Sequence, residues 1–233
     1  MVILAADTSQ LNTIFGEFAG TFQLIVKGCL IGIIASAPMG PVGVLCLQRT
    51  LQKGRKYGIV TGAGAALSDF CYALITGLGM TFMMTFISDD KNVFWLKVGG
   101  SLLLFAFGLY MILCKPKANR EVSSQRGTLT YNFVTSFLLT VSNPLIILLF
   151  IALFAQMTFA VPTNFFGACL GYLSIVGGAM LWWLGLTYIV SKARDSFGPE
   201  GVRLFNRTIG AIVLLVSIIY ALTTILRIRF LFF

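Results

Sequence analysis

The chain has no histidine, and among its 233 residues only 8 are Asp or Glu, 6 are proline and 5 are cysteine. Without histidine a serine or cysteine nucleophile has no imidazole base, and a single deeply placed aspartate cannot form an aspartic dyad. The cysteines Cys29, Cys46, Cys71, Cys114 and Cys169 are scattered, with no CxxC pair. They exclude a disulfide framework and, with histidine absent, a nitrogen- or sulfur-rich site for zinc, nickel or copper. No enzymatic activity and no cofactor are expected. Charge is scarce too: 11% of residues are charged, against about 25% in soluble domains. What fills the chain instead is apolar: 58% of residues are hydrophobic and the mean hydropathy is +0.91. A membrane-spanning helix needs about 20 apolar residues, so such runs leave little length for an aqueous domain. The expectation is a single transmembrane domain over residues 1–233, all α-helical, with the lipid bilayer as its solvent.

The charge that is present is sorted. Lys and Arg number 17 against 8 acids, a net +9. Apolar runs predict about six helices, at Thr21 to Leu47, Gly58 to Ile87, Phe94 to Leu113, Tyr131 to Thr158, Phe165 to Val190 and Thr208 to Leu226. Basic residues gather between them in three places: Arg49, Lys53, Arg55 and Lys56; then Lys115, Lys117, Arg120 and Arg126 in the loop Cys114 to Thr130; then Lys192, Arg194, Arg203 and Arg207. These alternate with Ser88 to Val93, which carries Asp89 and Asp90, and with a nearly uncharged turn at Pro162. The positive-inside rule then predicts a cytoplasmic (inner) membrane protein with both termini outside, Arg227 and Arg229 weighing less than the summed loops. The basic excess thus describes orientation and not a nucleic-acid partner. Met1 to Glu17 lacks a positive n-region, so the first apolar run reads as a retained span.

A cut in the loop at 114–130 leaves halves 1–113 and 131–233 with three helices each, and an odd number per half inverts one half relative to the other. Gly99 to Tyr110 aligns weakly with Ile209 to Tyr220, and Gly64, Ala65 and Leu67 match Gly167, Ala168 and Leu170 when Pro41 is laid on Pro144. The fold class expected is therefore two inverted three-helix repeats, the first helix of each broken at proline.

Those breaks are Ala37-Pro38-Met39-Gly40-Pro41 and Ser142-Asn143-Pro144. Proline has no amide proton, so carbonyls near Ile34, Ala37 and Thr140 should lose their intrahelical partners, which lipid tolerates only against protein or a wet cavity. Helices restarting at Pro41 and Pro144, capped by Gly40 and Asn143, present positive dipole ends to which a substrate carboxylate could dock. Paired interruptions of this kind point to a transporter's central site. Asp69 is the acid deep in a predicted span, where insertion costs about 2.5–3.5 kcal/mol and function is the default expectation. Gly58, Gly62, Ala65, Asp69, Tyr72 and Thr76 share one helix face, so small residues admit a neighbour while the acid points inward, able to exchange a proton against a cationic group. The candidate substrate-binding residues are Pro38, Gly40, Pro41, Asp69, Tyr72, Thr140, Asn143 and Pro144. Lys27 reads as snorkelling rather than pairing with Asp69. Gly28/Gly32 and Gly167/Gly171 read as close helix contacts that leave a homodimer open, and Trp95, Trp182 and Trp183 as lipid-facing.

In order and spacing, Pro38-Met39-Gly40-Pro41, Arg49-Thr50-Leu51-Gln52-Lys53-Gly54-Arg55-Lys56-Tyr57-Gly58, Ser68-Asp69 and Ser142-Asn143-Pro144 resemble the LysE (lysine exporter) family of amino acid efflux proteins over nearly the whole chain. The resemblance implies a helical exporter moving amino acids or related small zwitterionic solutes outward against a proton or cation gradient. Gly40 and Pro41 match the family's first break, Asp69 its acid and Asn143-Pro144 its second break. Met39 inside the first motif, Val42 after it and Leu145 after Pro144 depart from the pattern towards an apolar site. They argue against dicationic substrates, which would want more than one intramembrane carboxylate. A divalent-metal exporter, the chemistry of other relatives, is the alternative, and the donor set disfavours it.

Overall fold

A computed structural model describes residues 2–38, 40–82, 90–113, 127–162, 164–192 and 199–226. Every regular element among them is a helix: α1 (Val2–Ser36), α2 (Pro41–Lys53), α3 (Arg55–Phe82), α4 (Asp90–Leu113), α5 (Leu129–Val141), α6 (Pro144–Gln156), α7 (Phe165–Lys192) and α8 (Pro199–Ile225). The predicted central-loop cations Lys115, Lys117, Arg120 and Arg126, together with Met39, Asp89, Cys114, Arg194, Arg227 and Arg229, lie outside the described residues.

Five helices are long and apolar enough to cross a membrane, and α5 with α6 makes a sixth span if the pair, bent by 71°, is counted as one. The apolar part of the first span begins at Phe15, earlier than Thr21, and ends at Ser36. Both expected breaks are present. Pro41 and Pro144 start new helices at the first helical positions, with Gly40 and Asn143 as N-caps. Between α2 and α3 a single residue, Gly54, turns the chain at φ 99 and ψ 166, a conformation open in practice to glycine alone.

The helices pair across the halves. α1 packs on α7 and α5 packs on α3; α3 packs on α7, and α4 on α8. Gly28 meets Ser174 and Gly32 meets Ile175 and Ala179, so α1 and α7 run parallel. Gly64 meets Phe133 and Ser136 while Tyr72 reaches Val141, so α3 and α5 also run parallel. Gly58 faces Thr187, Gly62 faces Trp183 and Gly77 faces Tyr172, which sets α3 antiparallel to α7. A Cβ at Gly32 or Gly178 would fall on the backbone of the opposite helix, so these contacts depend on glycine. The expected Gly28/Gly32 contact is real. Gly167 instead sits in the first turn of α7 against Pro162 and Asn164, and Gly171 has only ordinary contacts; Gly178, against Cys29, is the glycine of α7 that α1 needs.

Two cores result, one on each side of the breaks. α6 supplies Leu149, Phe150, Leu153 and Phe154 to a core with Ile31, Tyr72, Tyr172 and Ile175. α2 supplies Val42, Cys46 and Leu47 to the other, with Ala65, Ala66, Ala179 and Trp183. Trp183 is thus buried over Gly62, correcting its lipid-facing assignment, whereas Trp95 is exposed. Its indole fits because position 62 has no side chain.

Candidate functional site

Each broken helix ends beside α3. Ser36, the last residue of α1, donates its Oγ hydrogen to Asp69 Oδ2 at 2.9 Å. One helical turn further along α3, the Tyr72 hydroxyl donates to the Val141 carbonyl at 2.6 Å and lies 3.3 Å from that of Asn143. Asp69 and Tyr72 therefore connect the first break to the second, and the face predicted from Gly58, Gly62, Ala65, Asp69, Tyr72 and Thr76 is buried along its whole length. Asp69 is only 3% exposed. Its burial has a structural reason: α3 packs against helices of both halves at this level, with small residues on either side of the acid.

The two half-helix starts differ. At α6 the Asn143 side chain accepts from Leu145 N at 3.2 Å, satisfying one free amide. At α2 Gly40 has no side chain to cap with, and the Gly40 amide instead bonds Pro38 O at 2.9 Å. The space around Gly40 is open and Pro41 is exposed. That start, four residues after the Ser36 that holds Asp69, offers backbone N–H groups and a positive dipole end, features able to hold a carboxylate.

One expectation needs correction. The Thr140 carbonyl does not lose its partner, because the Asn143 amide folds back onto it at 3.0 Å. The carbonyl left without a helical donor is that of Val141, because Leu145 N turns to the Asn143 side chain, and Tyr72 supplies the hydrogen. The Thr140 side chain is buried and its hydroxyl donates to Ser136 O within α5, so only its backbone carbonyl takes part in the break. Lys27 is half-buried about 13 Å along α1 from Ser36, out of reach of Asp69. Among the described residues no three His, Cys, Asp or Glu side chains gather where a metal could be held.

A family model for the LysE type translocator matches residues 33–223. The chain belongs to that family. It is a multi-pass membrane transporter. Among curated proteins, the translocator is 30% identical over 179 residues to a protein of Escherichia coli strain K12 named "Uncharacterized membrane protein YahN", covering 72% of this chain and 75% of that one. It is 27% identical over 137 residues to the "Putative amino acid efflux protein YcgF" of Bacillus subtilis strain 168, covering 58% of this chain and 64% of that one. No solved structure matches it.

The translocator also has a polar residue that sequence patterning misassigned. Arg49, counted among the loop cations, lies on α2 and is 1% exposed. Its guanidinium donates from Nη1 to Thr61 Oγ1 at 3.1 Å and to Asn132 O at 2.8 Å, and from Nη2 to Thr135 Oγ1 at 2.7 Å. The signal was available in the buried side of α2, where Val42, Cys46 and Arg49 recur at helical spacing. Ser36 was missed as well, its signal being only its place at the end of the first apolar run.

Proposed function

We propose that this translocator is a secondary exporter of amino acids or related small zwitterionic solutes, coupled to a proton or cation and working by alternating access. The observation that carries the proposal is the Ser36–Asp69 hydrogen bond, which holds a buried acid at the first break, one helical turn from the Tyr72 that meets the second. The substrate carboxylate docks on the free amides at the start of α2, while its ammonium, or a competing proton, meets Asp69. A carboxyl that is neutral when protonated and charged when it accepts a cationic group gives the exchange its stoichiometric link. One proton entering down 100 mV contributes ~2.3 kcal/mol, about fifty-fold in concentration ratio. Pro38, Gly40 and Pro41 form one side of the proposed site; Tyr72, Asn143 and the Thr140 backbone form the other, where the chain restarts at Pro144.

The inverted-repeat architecture is part of the proposal. It is supported by the exchange of partners: the first segment of each half packs parallel to the second long helix of the other half, and those two long helices are antiparallel. Rocking one pair against the other would open the site to alternate sides. The basic loops assign the end carrying Lys53, Arg55 and Lys56 to the cytoplasm, with both termini outside in the inner membrane.

Proteoliposome transport tests the coupling. Asp69→Asn is expected to abolish accumulation driven by a pH gradient while the protein stays folded. If the variant moves a panel of neutral amino acids as well as the parent, with the same response to the gradient, Asp69 is not the coupling group.

A further inference from the structure

The polar cluster around Arg49 is separate from the Asp69 site. On the α3 axis Thr61, which Arg49 touches, precedes Asp69 by about 12 Å. The carboxylate and ammonium of one α-amino acid are too close together to reach both. Burying a guanidinium is costly unless its charge is compensated, yet among the described residues the acceptors it meets are all neutral. The Thr61 and Thr135 hydroxyls spend their own hydrogens on Tyr57 O and Tyr131 O, at 2.8 and 2.7 Å, and offer Arg49 only lone pairs. Of the acids whose side-chain burial is described, Glu17 is exposed and Asp69 sits at the breaks.

A second observation lies on the same residue that supplies Arg49 with a carbonyl. Asn132 is 0% exposed, and neither its Nδ2 nor its Oδ1 has a hydrogen-bond partner among the described residues. A primary amide so buried should be fully bonded. Its Oδ1 faces Gly127, where a Cβ would stand 3.0 Å away, at the point where the chain enters α5. A planar donor fork thus meets the backbone of a residue whose side-chain amide is unpartnered, at the α2–α3–α5 junction, on α2 one turn before Lys53 and the exposed Arg55 and Lys56. From there Ser136 and Thr140 on α5 and Ser68 on α3, whose Oγ is also unpartnered, continue a buried polar seam towards Asp69.

We propose that Arg49 and the Asn132 amide form a carboxylate-binding station at the cytoplasmic end of the translocator, occupied by substrate before it reaches Asp69. The inference rests on the export reading above and adds a first stop on the same path. When α5 moves away from α2, a carboxylate replaces Asn132 O and Thr135 Oγ1 on the guanidinium and takes a further hydrogen from Asn132 Nδ2, exchanging neutral acceptors for a charged one.

The test uses everted membrane vesicles carrying the full chain, in which uptake reports movement from the cytoplasmic face. The probes are labelled L-leucine, a neutral amino acid, and its decarboxylated counterpart 3-methylbutylamine. Asn132→Ala removes the amide and keeps the backbone carbonyl that holds Arg49; Arg49→Lys keeps the charge and loses the fork. Each is expected to raise the leucine KM roughly ten- to hundredfold with little change in maximal rate and none in handling of the amine. Leucine KM values equal to the parent's in both folded variants would overturn the station. If Asp69→Asn uncouples transport while Asn132→Ala matches the parent, the station is wrong and the export reading stands. If Asp69→Asn stays coupled while Asn132→Ala raises the leucine KM alone, the coupling role fails and the station holds.

Discussion

Tyr72→Phe isolates one hydrogen bond at the second break. The phenyl ring keeps its stack on Phe150, at 6.5 Å between centroids and 23° between planes, so packing volume and ring contact survive. What disappears is the 2.6 Å bond to the Val141 carbonyl. That carbonyl has no replacement: Pro144 carries no N–H, and the next amide, Leu145 N, is held by the Asn143 side chain. An acceptor stripped of its donor costs about 1 kcal/mol if water reaches it and about 3 kcal/mol if it faces lipid or protein. Reversible unfolding in mixed detergent micelles, followed by tryptophan fluorescence, would read the difference, with exposed Tyr188→Phe as the control. The destabilisation expected is about 1–3 kcal/mol, and transport should fall because the bent α5–α6 joint loses its tie to α3. A change within about 0.3 kcal/mol, no larger than that of a typical exposed substitution, would show that Tyr72 does not complete the break and would refute the account of how Val141 is satisfied.

Gly32→Val is expected to prevent the α1–α7 contact, since its Cβ would fall on the Ile175 carbonyl; size-exclusion profiles should show aggregated or absent protein, whereas Gly185→Ala, which has open space, should run as the parent does. Asn143→Ala removes the cap on Leu145 N and should cost about 0.5–2 kcal/mol in the same unfolding assay. Asn143→Asp keeps an acceptor there and should recover most of that loss.

How much of this was legible beforehand differs from residue to residue. The breaks at Pro41 and Pro144 were, because proline's missing hydrogen and fixed φ act within a single turn and need no partner. The inward face of α3 was legible from glycine and alanine spacing, since only small residues allow helices to approach in lipid. Trp183 was not: an indole in an apolar helix is equally compatible with lipid and with a neighbour, and the deciding fact is a glycine in a different helix, Gly62. Arg49 was misassigned for a related reason, its position near Lys53, Arg55 and Lys56 suggesting a loop when α2 in fact carries it inwards.

By itself the sequence determined the solvent, the all-helical class, the positions where two helices must stop and restart, and the one deep acid whose cost demands a purpose. These follow from local chemistry: the length of apolar runs, the geometry of proline, the price of a charge in hydrocarbon. Only the tertiary structure decided that Ser36 would hold Asp69, that Tyr72 rather than a retained helix bond would satisfy the second break, and that Arg49 would sit among threonines and Asn132. In a membrane protein the lipid is as apolar as the core, so hydrophobicity does not mark which side of a helix meets protein. Polar partners on distant helices make that choice, and they are brought together only when the helices pack.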